Sequence, residues 1–319
     1  MWIFQPIYKQ TIWGGHRIHR FMGLPDTEEA IGESWCLSAV PGSESTVTEG
    51  PDKGLTISGL IKKYKSALMG KRNYATYGEK FPLLLKFIDA QDDLSVQVHP
   101  NDEMARRYGM PYGKTEMWYV IDAIPGSRLA NGFITPVDPD RYESLIESGE
   151  IENKLQFINI SKGDAFFIPA GSVHTIGKGA LLAEIQQSSD ATYRIYDYHR
   201  KDKNGNERQL HTELAKEAIN FNNTSHDKIV ARKIEEGVSC LTDSEYFKTN
   251  LIKSDTPLTR DYSSLDSFVI LMVTAGAVSV ECDGEQRRLS CGQTILIPAS
   301  ANSVTLHPDP GTELLETYC

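Results

Sequence analysis

Two segments of this chain read alike, and their likeness limits the fold more than any other feature of the sequence. Gly163-Asp-Ala-Phe-Phe-Ile-Pro169-Ala-Gly-Ser-Val-His174 aligns without a gap against Gly292-Gln-Thr-Ile-Leu-Ile-Pro298-Ala-Ser-Ala-Asn-Ser303. Each copy reads as a turn glycine, a buried strand, a proline stop and a second loop. The matching apolar positions in between make duplication of one β unit a better account than coincidence. The copies differ at their last position, where His174 faces Ser303, so only the first keeps a metal-capable side chain. One functional unit and one degenerate partner are expected.

The rest of the chain agrees with a β architecture. Strand patterns cover 81–90, 94–99, 116–123, 155–160, 165–168, 181–187, 192–198, 268–274, 277–282 and 294–297, separated by Gly, Pro, Asn and Asp turns. Many short strands at this spacing predict a sandwich or barrel. Helical signals are few: Leu60, Ile61, Tyr64 and Leu68 form one stripe over 56–69, Asp138-Pro139 opens a second helix, and Leu214, Ala215, Ala218 and Ile219 mark 212–221. A polar stretch near 222–235, with Ser225 and His226 at its centre, reads as the connection between an N-terminal unit and an all-β C-terminal one.

Composition closes off other classes. The chain has 319 residues, enough for two domains. No apolar run approaches the roughly 20 residues of a membrane span, and residues 1–20 lack a signal-peptide core, so the expected compartment is the cytoplasm. With 33 basic and 43 acidic residues the formal charge is −10, which disfavours nucleic acid or anionic membrane as a partner but leaves room for a small anionic substrate. Five cysteines without a C-x-x-C pair offer neither a disulfide framework nor a thiolate zinc site.

Alternation in Leu94-Ser95-Val96-Gln97-Val98-His99 sends Ser95, Gln97 and His99 to one face, and Pro100 stops the strand with His99 at its rim. Such alternation by itself fits any half-exposed strand. Taken together, though, Gln97, His99, Glu116 and His174 form a nitrogen and oxygen ligand set suited to zinc or another first-row divalent metal. His16 and His19 have helical spacing but read more simply as part of an N-terminal loop. Charge clusters at 62–65 and 200–208 read as solvated surface, and Tyr193, Tyr196 and Tyr198 as packing with polar tips.

These residues carry a resemblance. The Gly-x5-Pro-x-Gly-x2-His segment ending at His174 resembles the second conserved motif of cupins. Gln97-Val-His99-Pro100, Lys114-Thr-Glu116-Met-Trp118 and Glu184…Tyr193-Arg194 are similar to motifs of type I mannose-6-phosphate isomerases, and Trp13-Gly14-Gly15 fits the same family. The motifs fall in the family's order over most of 1–200. The resemblance implies a mainly β fold of two cupin-type jelly-roll barrels with a few short helices. In it, 1–225 is the catalytic metal-binding domain and 226–319 a degenerate domain without metal. Two departures stand out: Thr115 where many members have proline, and a short chain like that of bacterial forms with a reduced helical part.

The family's metal ligands fall on Gln97, His99, Glu116 and His174, and its active-site arginine on Arg194. The implied activity interconverts mannose 6-phosphate and fructose 6-phosphate through a cis-enediol, with one divalent ion, zinc first, and a small sugar phosphate as the partner of a monomer or homodimer. For the base, Glu184 is slightly favoured over Asp190 and Lys114; an outward carboxylate on an edge strand is its competing reading. Ser95, Lys86 and Lys114 are the candidates for the phosphate, although Lys86 also reads as a snorkelling strand residue. Arg194 reads alternatively as a scaffold residue paired with Asp190 or Asp197. An iron dioxygenase and a non-catalytic sugar-binding cupin are the alternative functions.

Overall fold

Strand alternation decides how the layers stack. In Leu83–Asp89, Leu83, Leu85 and Phe87 face one way and Leu84, Lys86 and Ile88 the other, and all are buried. The strand is central in a six-stranded antiparallel sheet ordered Ala165–Ile168, Glu116–Ala123, Ala180–Gln187, Leu83–Asp89, Glu33–Leu37 and Ile7–Lys9. One face of this sheet meets a five-stranded sheet ordered Leu155–Asn159, Arg128–Phe133, His174–Ile176, Val96–Val98 and Tyr193–Tyr196. Trp118, Val120, Phe166 and Leu182 pack there against Leu129 and Ile176.

The opposite face, with Leu85, Phe87, Met117 and Tyr119, packs on Ile270, Met272, Leu296 and Leu315 of a second large sheet. Burial on both faces is why these strands read as nearly continuous apolar runs. The computed structural model describes residues 1–202, 204–224 and 227–319. The expected domain boundary, with Ser225 and His226, lies outside the described residues, as does part of the 200–208 cluster.

The second half repeats the first. Thr294–Ile297, Val269–Ala275, Glu313–Tyr318, Lys248–Lys253, Val238–Asp243 and Arg232–Glu235 follow the order of the six-stranded sheet, and Trp2–Gln5 and Thr46–Val47 extend that array to eight strands. Opposite lie Glu285–Ser290, Ala277–Cys282, Ser303–Pro308 and Leu258–Asp261, in the order of the first four strands of the five-stranded sheet. Each pair of sheets is a jelly roll that, among the described residues, does not close into a continuous hydrogen-bonded barrel. Trp2–Gln5 pairs with Thr294–Ile297, so the start of the chain is built into the far sheet.

The expected helix over 56–69 divides at Lys65, whose φ of 50° is outside helical geometry. Ile57–Tyr64 is capped by the Thr56 hydroxyl, which accepts from the Gly59 N–H at 3.1 Å, and Ser66–Met69 and Lys71–Tyr77 follow. Arg17–Phe21 and Asp102–Arg107 were not expected, and the helix at 212–221 ends at Ala218. Glu33–Leu37 escapes the pattern because Trp35 pairs with Lys86 and Leu37 with Leu85, leaving Cys36 as an extra residue that breaks the alternation. The five cysteines are free, and no described helix is long and apolar enough to cross a membrane.

Candidate active site

The five-stranded sheet sets three polar side chains in a row. Gln97 is the cross-strand partner of His174 on one side and of Arg194 on the other, so all three share one face. His99 follows just past the end of the Gln97 strand. From the facing sheet Glu116, the first residue of its strand, points into the same space.

His99 Nε2 lies 3.5 Å from one Glu116 oxygen and His174 Nε2 3.5 Å from the other, with the imidazole rings 4.7 Å apart. All three residues are buried. His174 Nδ1 pairs with the Ser172 carbonyl at 2.8 Å, which turns Nε2 toward Glu116. Neither Nε2 has a hydrogen-bond partner, nor does either oxygen of Glu116. Burial, followed by the charge of Lys114, pulls His99 down to about 3, and burial lowers His174 as well. Burial alone would raise Glu116, but Lys114 at 3.4 Å and the two imidazoles hold it below the usual carboxylate range.

Neutral imidazoles facing a buried carboxylate turn their lone pairs toward a common space, where one cation would satisfy all of them at once. The three ligand atoms lie within 4.8 Å of one another. This donor set fits a divalent first-row metal, and Gln97 stands beside it.

Next to the cluster is a cavity of about 200 Å³, lined in part by Ser95, Gln97, Lys114, Glu184 and Arg194. Glu184 lies on a central strand and is buried, so it is neither outward-facing nor at an edge. It accepts from Trp118 Nε1 at 3.0 Å and pairs with Lys86 Nζ at 3.1 Å. Burial and the charge of Glu116 raise its pKa against the pull of Lys86. Lys86 is also buried, which excludes snorkelling; Glu184 and Glu33 outweigh its desolvation and raise its pKa.

Asp190 is exposed at the cavity wall. Arg194 is half-buried: Nη1 donates to the Gln209 carbonyl at 2.8 Å, and Nε has no partner. Among the described residues its guanidinium forms no ion pair with a carboxylate, so the pairing with Asp190 or Asp197 is absent. Asp197 is taken by Arg200 and Arg208.

Those two arginines correct the reading of 200–208 as solvated surface. They converge on a buried carboxylate, and Arg208 lines the cavity. Glu33 and Trp35 also line it and were missed. Their i, i+2 spacing was the available signal, obscured by the bulge after Trp35. His19 has both ring nitrogens on the carbonyls of Pro25 and Glu29, which gives it a local structural use.

Fold and site define a duplicated cupin whose one candidate metal cluster, among the described residues, adjoins a cavity holding acid–base groups. The family model for the catalytic domain of type I phosphomannose isomerase matches residues 1–143. Mannose-6-phosphate isomerase ManA of Bacillus subtilis is 41% identical over 217 residues, covering 68% of this chain and 67% of the relative. The mannose-6-phosphate isomerase of Streptococcus mutans is 32% identical over 307 residues, covering 94% of each. The crystal structure of the Bacillus subtilis mannose 6-phosphate isomerase superposes with a TM-score of 0.89 at 31% identity, covering 100% of this chain and 99% of that one. The chain belongs to the type I phosphomannose isomerase family.

Proposed function

We propose that the protein interconverts mannose 6-phosphate and fructose 6-phosphate by moving a proton between C1 and C2 through a cis-enediol. The observation that carries this reading is the cluster of unpartnered His99, Glu116 and His174 atoms opening beside a cavity with a buried carboxylate and a guanidinium that, among the described residues, has no carboxylate partner. Gln97, His99, Glu116 and His174 would hold one divalent ion, zinc by the character of the donor set. When bound, that ion supplies Lewis-acid stabilisation of charge on the reacting sugar oxygens.

The chain's own groups do the rest. Glu184 takes the proton from one carbon and returns it to the next, its carboxylate held in place by Lys86 and Trp118. Lys114 donates to the sugar oxygens nearest Glu116, and Ser95 and Lys86 add contacts along the wall. Arg194 presents a planar fork to oxygens that gain charge along the path. The work lies in the N-terminal unit, 1–225; the C-terminal unit, 226–319, holds no metal. The protein acts in the cytoplasm as a monomer or homodimer. A sugar-binding cupin needs no proton-transfer group, so the placing of Glu184 favours the isomerase.

The test is direct. Purified protein given mannose 6-phosphate should form fructose 6-phosphate, and given fructose 6-phosphate should form the aldose. Absence of product in both directions overturns the reading.

A further inference from the structure

The strongest uncommitted feature is the set of arginines around Asp197. Asp197 is 5% exposed and accepts from Arg208 Nε at 2.7 Å, Arg208 Nη2 at 2.6 Å and Arg200 Nη2 at 2.5 Å. Arg200 also donates to the Asp93 carbonyl, in the turn that leads to Ser95. One buried carboxylate therefore fixes two guanidinium groups, tying one to the Ser95 turn and holding the other at the cavity wall. Arg208 meets Asp197 through Nε and Nη2, and its Nη1 has no hydrogen-bond partner among the described residues.

The layout across the sheet places this pair relative to the reacting end. The strand of Gln97 lies next to the strand of Arg194, and beyond that edge strand the chain returns alongside it. There the His211 N–H donates to the Arg194 carbonyl and Gln209 accepts from the Arg194 side chain. Arg208 sits at the start of this return. Its segment lies on the far side of the Arg194 strand from the Gln97 strand. In a six-carbon sugar phosphate the phosphoryl group lies at the opposite end of the carbon chain from C1 and C2. The charge of the remaining lining lysines is already matched: Lys86 by Glu184 and Glu33, and Lys114 by Glu116. Arg208 lies close enough to Arg194 for the two positive charges to repel, so an anion taken up by Arg208 would relieve the repulsion.

We infer that Arg208, held by Asp197, is a specificity-determining residue that binds the substrate's phosphoryl group beside Ser95. Asp197 is a positioning residue, and Arg200 aligns the Ser95 turn with it. The inference rests on the sugar-phosphate isomerase reading and adds the residue that distinguishes a phosphorylated sugar from a free one. A phosphoryl group carries about −1.5 to −2 charges at neutral pH, and a guanidinium fork matches its oxygens.

The experiment compares wild type, Arg208→Gln and Arg208→Lys in metal-loaded full-length protein, with inorganic phosphate as a competitive inhibitor. A handle remote from the reacting carbons contributes to ground and transition states alike, so the loss in Arg208→Gln falls on KM, about tenfold or more. The inhibition constant for inorganic phosphate should rise in parallel, with Arg208→Lys between wild type and Arg208→Gln. Metal content and melting temperature, read on the same samples, separate this from unfolding. An unchanged KM and phosphate inhibition in Arg208→Gln overturn the inference while leaving the isomerase reading intact. A loss confined to kcat with KM unchanged overturns it as well. Wild-type protein that forms no fructose 6-phosphate overturns the reading on which it rests.

Discussion

His174 is aimed by its own loop. With Nδ1 spent on the Ser172 carbonyl, the other ring nitrogen is left to face Glu116. His174→Ala should therefore lose bound metal and activity together. Ser303→Ala, at the aligned but exposed position of the second half, should change neither, with a stability change below about 0.5 kcal/mol. Metal analysis and assay of both variants check this; equal losses would place a working site in the C-terminal unit. Arg194→Lys should keep metal and fold yet lower kcat more than about tenfold, because one ammonium cannot copy a guanidinium fork on oxygens whose charge grows in the transition state. Steady-state kinetics with metal content decide it, and unchanged kcat contradicts the role. Gln97, His99, Glu116 and His174 stood out in the sequence because strand alternation, the proline after His99 and the loop before His174 expose polar side chains that together make a nitrogen and oxygen ligand set. Arg208 was not, since a cluster of charges looks the same whether it faces water or converges on one buried aspartate.

Single elements are joined by a few polar contacts of the same kind. Asp52, in the loop before Ile57–Tyr64, accepts from Trp2 Nε1 at 2.8 Å, Lys63 Nζ at 2.6 Å and Tyr64 OH at 2.7 Å. It thus fastens the first strand to that helix. Burial alone would raise its carboxyl, but these three donors hold it below the usual range. A carboxyl whose folded pKa is depressed adds stability above its unfolded value, near about 3.9, and loses it as pH falls through the folded value. Asp52→Asn should cost about 1–3 kcal/mol at pH 7, and the gap from wild type should shrink near pH 3. Urea unfolding at both pH values checks this; a gap equal at both contradicts it. The Trp2–Gln5 strand and the charged edge strand Arg232–Glu235 escaped the sequence pattern because neither is a buried apolar run, the first being only partly buried and the second exposed throughout. Leu83–Asp89 and Glu116–Ala123 were legible because both of their faces are buried.

At the scale of the whole molecule, duplication explains why two similar jelly rolls have different interiors. The cross-strand register puts Val269 where the first half has Glu116, since Ile297 pairs with one as Ile168 pairs with the other. Glu316 stands in the place of Glu184, opposite Asn250 rather than Lys86. It remains buried, but Arg260, Tyr262 and Asn250 all donate to it, so its oxygens are satisfied within the protein. The second half keeps the topology and fills its interior, whereas the first leaves its buried donors facing one another. The aligned glycine–proline segments made the duplication readable; the replacement of Glu116 by Val269 needed the strand register. The most direct measurement of this account is isomerase activity and metal content on one sample, as purified, after exhaustive chelation, and after zinc is restored. The account predicts one ion per chain, loss of fructose 6-phosphate formation with the ion, and recovery on its return. Full activity in metal-free protein would contradict it.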